Sequence, residues 1–411
     1  MKKVLIIGAG IGQVPLCELC KKRGYYVIVA TIQGPYPCIE IADKVCYVDI
    51  YDKEEIVKMA TQENVDAVIS DQNDLMMPTV AFVAEKLNLP GNTVEQTYSY
   101  CNKNKFRSNC DLLSIPVPQH IAVSSTEYPL DFATNVDFPW IIKPEDSQSS
   151  IGVSKVNSKD EYKKAVTLAL AASKNNRAIV EEFFVGQEVV VEGFVYDGVY
   201  YNLGIADRVY FNLSEQFIPS QTIFPSVISG YLQHQLIEYE KNYASYVHPK
   251  FGIIHSEYLI NTQTQQIRVV ESAIRGGGVY ISSHLIPLYC GININEILLD
   301  CALGYDIPIA KILSAHGSKS SAYVCFYLAK GRVDSIKGLD IVSNLPCVKK
   351  CDVNVQVGQE TCDMRYKGDR LGPILLQCDN RSKLEEEIKY IQHTLQIKVN
   401  NNGEKFDIIW E

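Results

Sequence analysis

Short runs of apolar residues alternate with longer segments of helical period through the first ninety or so residues. The two clearest helical segments span residues 14–23 and 53–63. Continuous apolar runs of four to six residues are typical of strands buried on both faces, so the pattern predicts a parallel sheet flanked by helices. The predicted strands are Lys-Val-Leu-Ile-Ile, Tyr-Val-Ile-Val-Ala, Lys-Val-Cys-Tyr-Val and Asp-Ala-Val-Ile-Ser.

The pattern changes after Pro116, where apolar strands begin to end on charged residues and small-residue loops follow them. From about residue 320 the chain consists of short apolar strands separated by turns. A single late helix follows, and a capping box at Ser382 and Glu385 is predicted to open it. The pattern thus predicts an α/β region followed by α+β structure.

Composition limits the kind of protein. With 411 residues and 46% hydrophobic content, the chain is long enough for two or three domains. The 39 basic and 48 acidic residues give a net charge of -9, which argues against nucleic-acid binding. The sequence contains no apolar run of the length of a signal peptide or membrane span, and its thirteen cysteines are scattered. We therefore expect a cytoplasmic protein with reduced thiols, small-molecule substrates and no membrane partner.

The first predicted turn, Gly8-Ala9-Gly10-Ile11-Gly12-Gln13, is similar to a dinucleotide-binding fingerprint but incomplete. Gln13 stands where the third glycine is required, and the second strand ends without an acid to hold a ribose. Nicotinamide binding is therefore disfavoured. A tight turn that packs the helix on the sheet, or that receives a substrate carboxylate, fits the residues better.

Glu257 and Glu271 each stand near the end of an apolar strand, in Ile-Ile-His-Ser-Glu and Arg-Val-Val-Glu. Arg275 follows the second glutamate by four positions. Hard divalent cations prefer carboxylate oxygens, and a guanidinium can grip a phosphoryl group with two hydrogen bonds. These three residues indicate a metal-phosphate site. The alternative is that both acids are solvated turn residues or ion-pair partners.

A lysine, Lys143, ends the strand Trp-Ile-Ile-Lys, and a loop of small residues follows it. The loop includes Ser149, Ser150 and Gly152. Hydroxyl residues and glycine allow backbone N–H groups to close over an anion while the lysine supplies charge. The pattern favours a phosphate loop, although an ordinary hairpin loop explains the same residues.

A break at Gly186 separates two predicted strands that carry acids at their margins. Glu181, Glu182 and Phe184 precede the break, and Glu188 follows it. Such a hinge can present backbone donors and acceptors to a flat base, and a carboxylate can accept from ribose hydroxyls. The alternative is a plain antiparallel hairpin with solvated glutamates.

In their order along the chain these motifs resemble the ATP-grasp superfamily, and the resemblance covers nearly the whole sequence. It extends to Asn-Lys105-Phe-Arg followed by Ser-Ile-Pro-Val-Pro, which is similar to the family's approach to its first lysine. The resemblance implies a fold of mixed α/β and α+β class. Its implied parts are a Rossmann-like domain over residues 1–95, an ATP-grasp domain of two α+β subdomains over 96–315 and a small C-terminal α+β domain over 316–411.

The resemblance also implies a role for each matched residue. Lys105 and Lys143 would contact the ATP phosphates, and the loop of Ser149, Ser150 and Gly152 would fold over them. Glu181 and the backbone of Glu182 and Phe184 would contact the adenine. Glu188 would contact the ribose. Glu257 and Glu271 would hold Mg²⁺, with Mn²⁺ as an alternative ion. Arg275, together with Lys143, would stabilise the transferred phosphoryl group, and Arg208 would be a further cation facing the phosphates.

One position departs from the family pattern. Many members have Glu-x-Asn at the second metal position, whereas Glu271-Ser-Ala273 places a methyl group where an amide oxygen would ligate. The number of metal ions is therefore open.

The activity implied by the resemblance is that of an ATP-dependent carboxylate-amine ligase. Such an enzyme activates a small carboxylic acid as an acyl phosphate, releases ADP and joins the acid to an amine. A formate- or bicarbonate-using enzyme of the purine-pathway type and a non-catalytic ATP-binding relative are the alternatives. A homodimer is expected, because two-fold pairing is the commonest assembly of soluble proteins.

Overall fold

The computed structural model describes residues 1–146, 151–213, 217–278, 280–307, 309–313, 317–364 and 367–411. Its N-terminal part consists of β1 (Lys3–Ile7), α1 (Val14–Lys22), β2 (Tyr26–Thr31), α2 (Cys38–Ile41), β3 (Lys44–Tyr47), α3 (Lys53–Glu63), β4 (Ala67–Ile69) and α4 (Met77–Lys86). The four strands form the predicted parallel sheet in the order β3-β2-β1-β4. Apolar cores lie on both faces, as continuous apolar strands require.

Two capped helices lead from this sheet toward the rest of the molecule, α5 (Val94–Cys101) and α6 (Lys103–Leu112). The Thr93 hydroxyl accepts from the Gln96 N–H at 3.1 Å, and the Asn102 side chain accepts from the Lys105 N–H at 2.9 Å. Each cap satisfies a backbone donor that a helix start leaves free. The second cap fixes Lys103 at the first position of α6.

A second four-stranded sheet follows, in the order β5-β8-β6-β7 with antiparallel pairing. Trp140 is fully buried at its centre and packs edge to face against Tyr162 of the covering helix. The elements are β5 (His120–Val123), α7 (Leu130–Asn135), β6 (Trp140–Pro144), β7 (Ser154–Val156), α8 (Lys159–Ala172) and β8 (Ala178–Glu182).

The next segment contributes five strands and a long helix, followed by shorter helices. They are β9 (Gln187–Tyr196), β10 (Val199–Tyr210), β11 (Pro219–Phe224), α9 (Gly230–Val247), β12 (Phe251–Asn261), β13 (Gln266–Ala273), a π-helix (Ile281–Leu285), α10 (Ile286–Cys290), α11 (Ile294–Ala302) and α12 (Ile309–Leu313). Helix α9 covers one face of these strands through a core that includes Leu236 and Tyr258.

The remaining elements are β14 (Ser320–Phe326), β15 (Gly331–Lys337), α13 (Leu339–Ser343), β16 (Val348–Cys351), β17 (Glu360–Thr361), β18 (Leu371–Cys378), α14 (Arg381–Thr394), β19 (Gln396–Asn401) and β20 (Glu404–Phe406). Three of them extend the large sheet, whose order is β13-β12-β9-β10-β11-β14-β18-β16. The sheet thus continues across the domain boundary predicted at residue 316. The others form a small sheet in the order β17-β15-β19-β20.

The late helix is present, but its predicted start is wrong. Helix α14 begins at Arg381, and the Asn380 side chain caps it by accepting from the Lys383 N–H at 2.9 Å. Ser382 therefore lies inside the helix. All thirteen cysteines are free thiols. None of the helices in the described ranges has the length and apolar character needed to cross a bilayer.

Candidate active site

Glu257 and Glu271 lie directly opposite one another on the antiparallel strands β12 and β13. Both project from the face of the large sheet opposite α9, because the neighbouring Tyr258 packs into the α9 core. Opposed residues on neighbouring strands have Cβ atoms about 5 Å apart, so the two carboxylates share one site. The structure brings together the pair of acids that the sequence singled out.

Arg208 links this pair to the predicted ribose contact. Its Nη1 lies 2.5 Å from a Glu257 oxygen and 2.7 Å from a Glu188 oxygen. Burial favours the protonated form of Glu257. The positive charge of Arg208 and a hydrogen bond from His255 outweigh this effect and hold the pKa of Glu257 well below its ordinary value. Burial raises the pKa of Glu188, whose other oxygen accepts from the Tyr210 hydroxyl. A buried guanidinium therefore keeps Glu257 ionised, the form that a divalent cation requires.

The lysine that pairs with Glu271 is Lys103. Its Nζ lies 3.4 Å from a Glu271 oxygen, and its side chain is 13% exposed. Lys105, the lysine singled out from the sequence, is two residues further along α6 and half-buried. Sequence reasoning missed Lys103 because the stretch Asn-Lys-Asn-Lys offers two lysines in similar settings. The Asn102 cap places Lys103 at the first position of α6 and Lys105 at the third.

Lys143 lies at the end of β6, one residue before its last, and its ammonium is held by Glu181, 2.7 Å away. The second Glu181 oxygen lies 2.7 Å from Arg107 Nε. Burial lowers the pKa of Lys143 because it disfavours the charged ammonium. Burial also disfavours the Glu181 carboxylate, but Arg107 and Lys143 outweigh it and lower the pKa of Glu181 to about 2. Both carboxylate oxygens are thus taken by cations, so any contact of Glu181 with a base falls to its backbone.

The break at Gly186 is a hinge between two sheets. Strand β8, before it, belongs to the four-stranded sheet, and β9, after it, to the eight-stranded one. The alternative of a plain hairpin is therefore excluded. Within the hinge region the Glu182 carboxylate accepts from Arg268 at 3.0 Å, and the Arg268 guanidinium lies 4.9 Å from the Phe184 ring centroid.

Only part of the predicted phosphate loop can be described. Ser149 and Ser150 lie outside the described residues. Gly152 adopts φ +73°, and a Cβ there would lie 2.7 Å from the Ala172 side chain and 2.9 Å from the Pro144 ring. The return of the loop onto α8 and β6 thus requires glycine.

Arg275 is joined to an acid from the N-terminal sheet. Its Nη2 and Nε lie 2.7 and 3.0 Å from the two oxygens of Asp74. Three residues earlier, the fully buried Asp71 accepts from the Gly276 N–H at 2.7 Å and from the Ser282 hydroxyl at 2.9 Å. Sequence reasoning missed both acids, although they lie in the segment that follows β4 (Ala67–Ile69), where the carboxyl end of a parallel sheet is expected to carry functional groups.

His255 is buried beside the acidic pair. Its Nδ1 contacts the fully buried Glu192, and its Nε2 lies 3.5 Å from Glu257. Burial disfavours the imidazolium, but Glu192 raises the pKa of His255 above its ordinary value. The histidine therefore lies between Glu192 and Glu257, where it can orient the Glu257 carboxylate.

The Gln13 side chain occupies the inside of the glycine turn that follows β1. The Gln13 side chain accepts from the Gly10 N–H at 3.0 Å and donates to the Asp71 carbonyl at 2.6 Å. Because Gln13 is itself buried, this turn packs α1 onto the sheet.

The C-terminal region also reaches the site. Burial lowers the pKa of Lys367, against the opposing influence of Glu257. Arg370 anchors this segment by donating to the Lys367 carbonyl at 2.9 Å and to the Pro219 carbonyl at 2.8 Å.

The site combines two opposed carboxylates with a cation at each of them, Arg208 at Glu257 and Lys103 at Glu271. Within the described ranges no group of three or more His, Cys, Asp or Glu side chains is arranged to hold a metal. Two carboxylates suit Mg²⁺, which keeps several waters and takes phosphate oxygens. Ala273, buried opposite His255, adds no ligand. The arrangement can hold a divalent cation together with an anionic, phosphate-bearing ligand.

Known proteins resemble this chain in sequence and in fold. A family model described as the D-ala D-ala ligase C-terminus matches residues 112–202. The alanine–anticapsin ligase of Bacillus subtilis is 24% identical over 269 residues, which is 60% of this chain and 56% of that protein. The formate-dependent phosphoribosylglycinamide formyltransferase of Prochlorococcus marinus is 27% identical over 186 residues, 44% of this chain and 48% of that protein. The chain therefore spans about half the length of these curated relatives.

Among solved structures, an L-amino acid ligase from Bacillus licheniformis superposes with a TM-score of 0.82 at 20% identity. The match covers 98% of this chain and 99% of that one. The TM-score establishes a shared fold over nearly the full length of both chains.

Proposed function

We propose that this chain, which has the ATP-grasp fold, is a Mg²⁺- and ATP-dependent ligase that activates a small carboxylic acid as an acyl phosphate and joins it to an amine. The observation that carries the proposal is the opposition of Glu257 and Glu271 in a cleft lined by cations. The alanine–anticapsin ligase and the L-amino acid ligase described above support the choice of a carboxylate and an amine as substrates.

The proposed roles follow the contacts. Glu257 and Glu271 hold Mg²⁺, or Mn²⁺ in its place. Lys103 and Lys143 face the ATP phosphates, with Lys103 replacing Lys105 in this role because it contacts Glu271. The hinge backbone around residues 182–184 meets the adenine, while Glu188 meets the ribose.

The chemistry needs positioned charge more than covalent catalysis. A carboxylate is a poor electrophile, and transfer of the γ-phosphoryl group onto its oxygen gives an acyl phosphate with ADP as the leaving group. An amine then attacks the acyl carbon, inorganic phosphate leaves, and the amine loses a proton. Bound Mg²⁺ would neutralise charge on the phosphate oxygens. Arg275, held by Asp74, lies one short turn beyond Glu271, where it can stabilise the phosphoryl group in transfer.

The substrates are a small-molecule carboxylate and a small-molecule amine. We propose a cytoplasmic homodimer, in keeping with thirteen free thiols and a net charge of -9.

A second candidate is a formate- or bicarbonate-using enzyme. The similarity of 186 residues to a formate-dependent phosphoribosylglycinamide formyltransferase favours it specifically. It differs from the first candidate in the acid that is activated and in the size of the amine substrate.

ADP release measured with pools of substrates separates the candidates. The assay supplies Mg·ATP with a mixture of amino acids, then with formate or bicarbonate and amines such as phosphoribosylglycinamide. The proposal expects ADP and phosphate in equal amounts only with the amino-acid pool, and none from Glu271→Gln. Release that depends on formate or bicarbonate would favour the second candidate. Absence of release with every pool, despite tight ATP binding, would identify a non-catalytic relative.

A further inference from the structure

Strand β13 contains one residue more than its partner between two well-paired regions. Tyr258 pairs with Val269, but the next pair is Glu257 with Glu271. Val270 therefore has no partner on β12 and forms a β-bulge. Such bulges turn side chains to the other face of a sheet and are common beside active sites.

The bulge decides where Glu271 points. Ile267 and Val269, before it, pack into the α9 core, and after it Ile274 packs there. Because side chains alternate with a period of two, unbroken alternation would also send residue 271 toward α9. The extra residue shifts the phase, and Glu271 faces the cleft opposite Glu257.

Arg107 contacts the bulge directly. Its Nη2 donates to the Val270 carbonyl at 2.6 Å, while its Nε donates to Glu181 at 2.7 Å. Arg107 is fully buried, and Glu181 in turn holds Lys143. The Arg107 guanidinium therefore links Val270, the residue before Glu271, through Glu181 to Lys143 of the four-stranded sheet.

We propose that Arg107 is a positioning residue that fixes the Val270 bulge and thereby the orientation of Glu271 toward the metal. The inference rests on the function proposed above. A bulge carbonyl lacks its partner in the strand ladder, and a buried carbonyl without a hydrogen bond is costly, so the guanidinium stabilises this conformation of β13. The planar guanidinium donates in two fixed directions, to Val270 and to Glu181. A lysine at position 107 keeps the positive charge but cannot make both hydrogen bonds in this geometry.

The test is Mn²⁺ binding in the presence of ADP, measured by electron paramagnetic resonance, for the full chain and its variants. Arg107→Lys is expected to weaken Mn²⁺ binding 10- to 100-fold, the usual effect of losing a group that orients a metal ligand. Glu181→Gln, which leaves the Val270 contact in place, is the matched control. It is expected to weaken ADP binding, measured by calorimetry without metal, more than it weakens Mn²⁺ binding.

Mn²⁺ affinity of Arg107→Lys within twofold of the wild type, in a protein with native circular dichroism, would overturn the inference. Arg107→Gln provides a second folded background, and failure of both variants to fold would also overturn it, since a positioning residue leaves the fold intact. Glu271→Gln separates the two proposals: if that variant still binds Mn²⁺ like the wild type, the proposed metal site itself is wrong.

Discussion

Asp74 and Arg275 form a two-point ion pair that joins the N-terminal parallel sheet to the segment following β13, with N–O distances of 2.7 and 3.0 Å. A bidentate pair fixes the plane of the guanidinium as well as its position. The N-terminal sheet therefore takes part in aiming the cation proposed to stabilise phosphoryl transfer.

Asp74→Asn is expected to lower kcat about 10²-fold, the scale of a catalytic group displaced by an ångström, with a smaller change in KM for ATP. Steady-state kinetics of ADP release measure both. Asp66→Asn is the matched control, since it removes the same charge at the opposite end of β4, where Asp66 pairs with Lys2. Equal kcat values for the two variants would contradict the role given to Asp74.

Glu271→Gln is expected to remove the stabilisation that Mg²⁺ adds to the ADP complex. A ligand at one hundred times its dissociation constant stabilises the folded state by about 2.7 kcal/mol. In the wild type the thermal midpoint with ADP should rise further on adding Mg²⁺, and in the variant this increment should vanish. Glu404→Gln on the exposed strand β20 should keep it. A full increment in Glu271→Gln would place the metal elsewhere.

The glycine run after Arg275 offers a steric test. A Cβ at Gly277 would lie 2.6 Å from the Glu192 carboxylate and 2.8 Å from His255, both buried, whereas a Cβ at Gly278 meets nothing within 4 Å in the described part of the chain. Gly277→Ala should therefore lose about 1–3 kcal/mol of unfolding free energy by overpacking. Gly278→Ala should unfold at the wild-type denaturant midpoint. Equal midpoints for both variants would show that the Glu192–His255 pair yields easily.

Glu240 predicts a specific pH dependence of stability. This carboxyl is buried under the large sheet, accepts from the Tyr258 hydroxyl at 2.6 Å, and has its pKa raised by burial to about 7. Because the folded state binds the proton more tightly than the unfolded state, stability from this group is complete below about pH 4.5. It is lost as the pH rises through 7. The loss is on the order of 3 kcal/mol.

Glu240→Gln should flatten that decline, so that the variant gains on the wild type between pH 5 and pH 8 in urea unfolding. Glu238→Gln, on the exposed side of the same helix, should follow the wild-type curve. The neighbouring charges of Glu192 and His255 act on Glu240 in opposite directions and are common to all three proteins. Parallel curves for Glu240→Gln and the wild type would refute the assignment.

The elements that could be predicted from the sequence are those with a local signature. Continuous apolar runs predicted the parallel sheet. The acids Glu257 and Glu271 were recognisable because they interrupt apolar strands, but the predicted strand-end position is wrong for Glu257, which lies inside β12 (Phe251–Asn261). The glycine break gave the hinge. Each depends on residues close together in the chain, where periodicity and turn chemistry act directly.

What could not be predicted depends on partners far apart in the chain. Asp74 and Arg275 are 201 residues apart, and Arg107 and Val270 are 163 apart. The Val270 bulge leaves only a phase shift between Val269 and Ile274, which is easily overlooked in so short a strand. The contact of Lys103 with Glu271 likewise joins distant segments of the chain, and the start of α14 follows from Asn380 and not from Ser382.

The pairing of β11 with β14 has a practical consequence for building chimaeras with other ligases. Every residue of β11 is buried, and β14 covers its outer edge. A crossover near residue 316 would cut the eight-stranded sheet in two and leave a long apolar edge open to aggregation. The four-stranded sheet that ends at the Gly186 hinge has its own core around Trp140. It is the cassette to exchange, provided that the donor also supplies a carboxylate at the position of Glu181 to pair with Arg107, which stays with the recipient on α6.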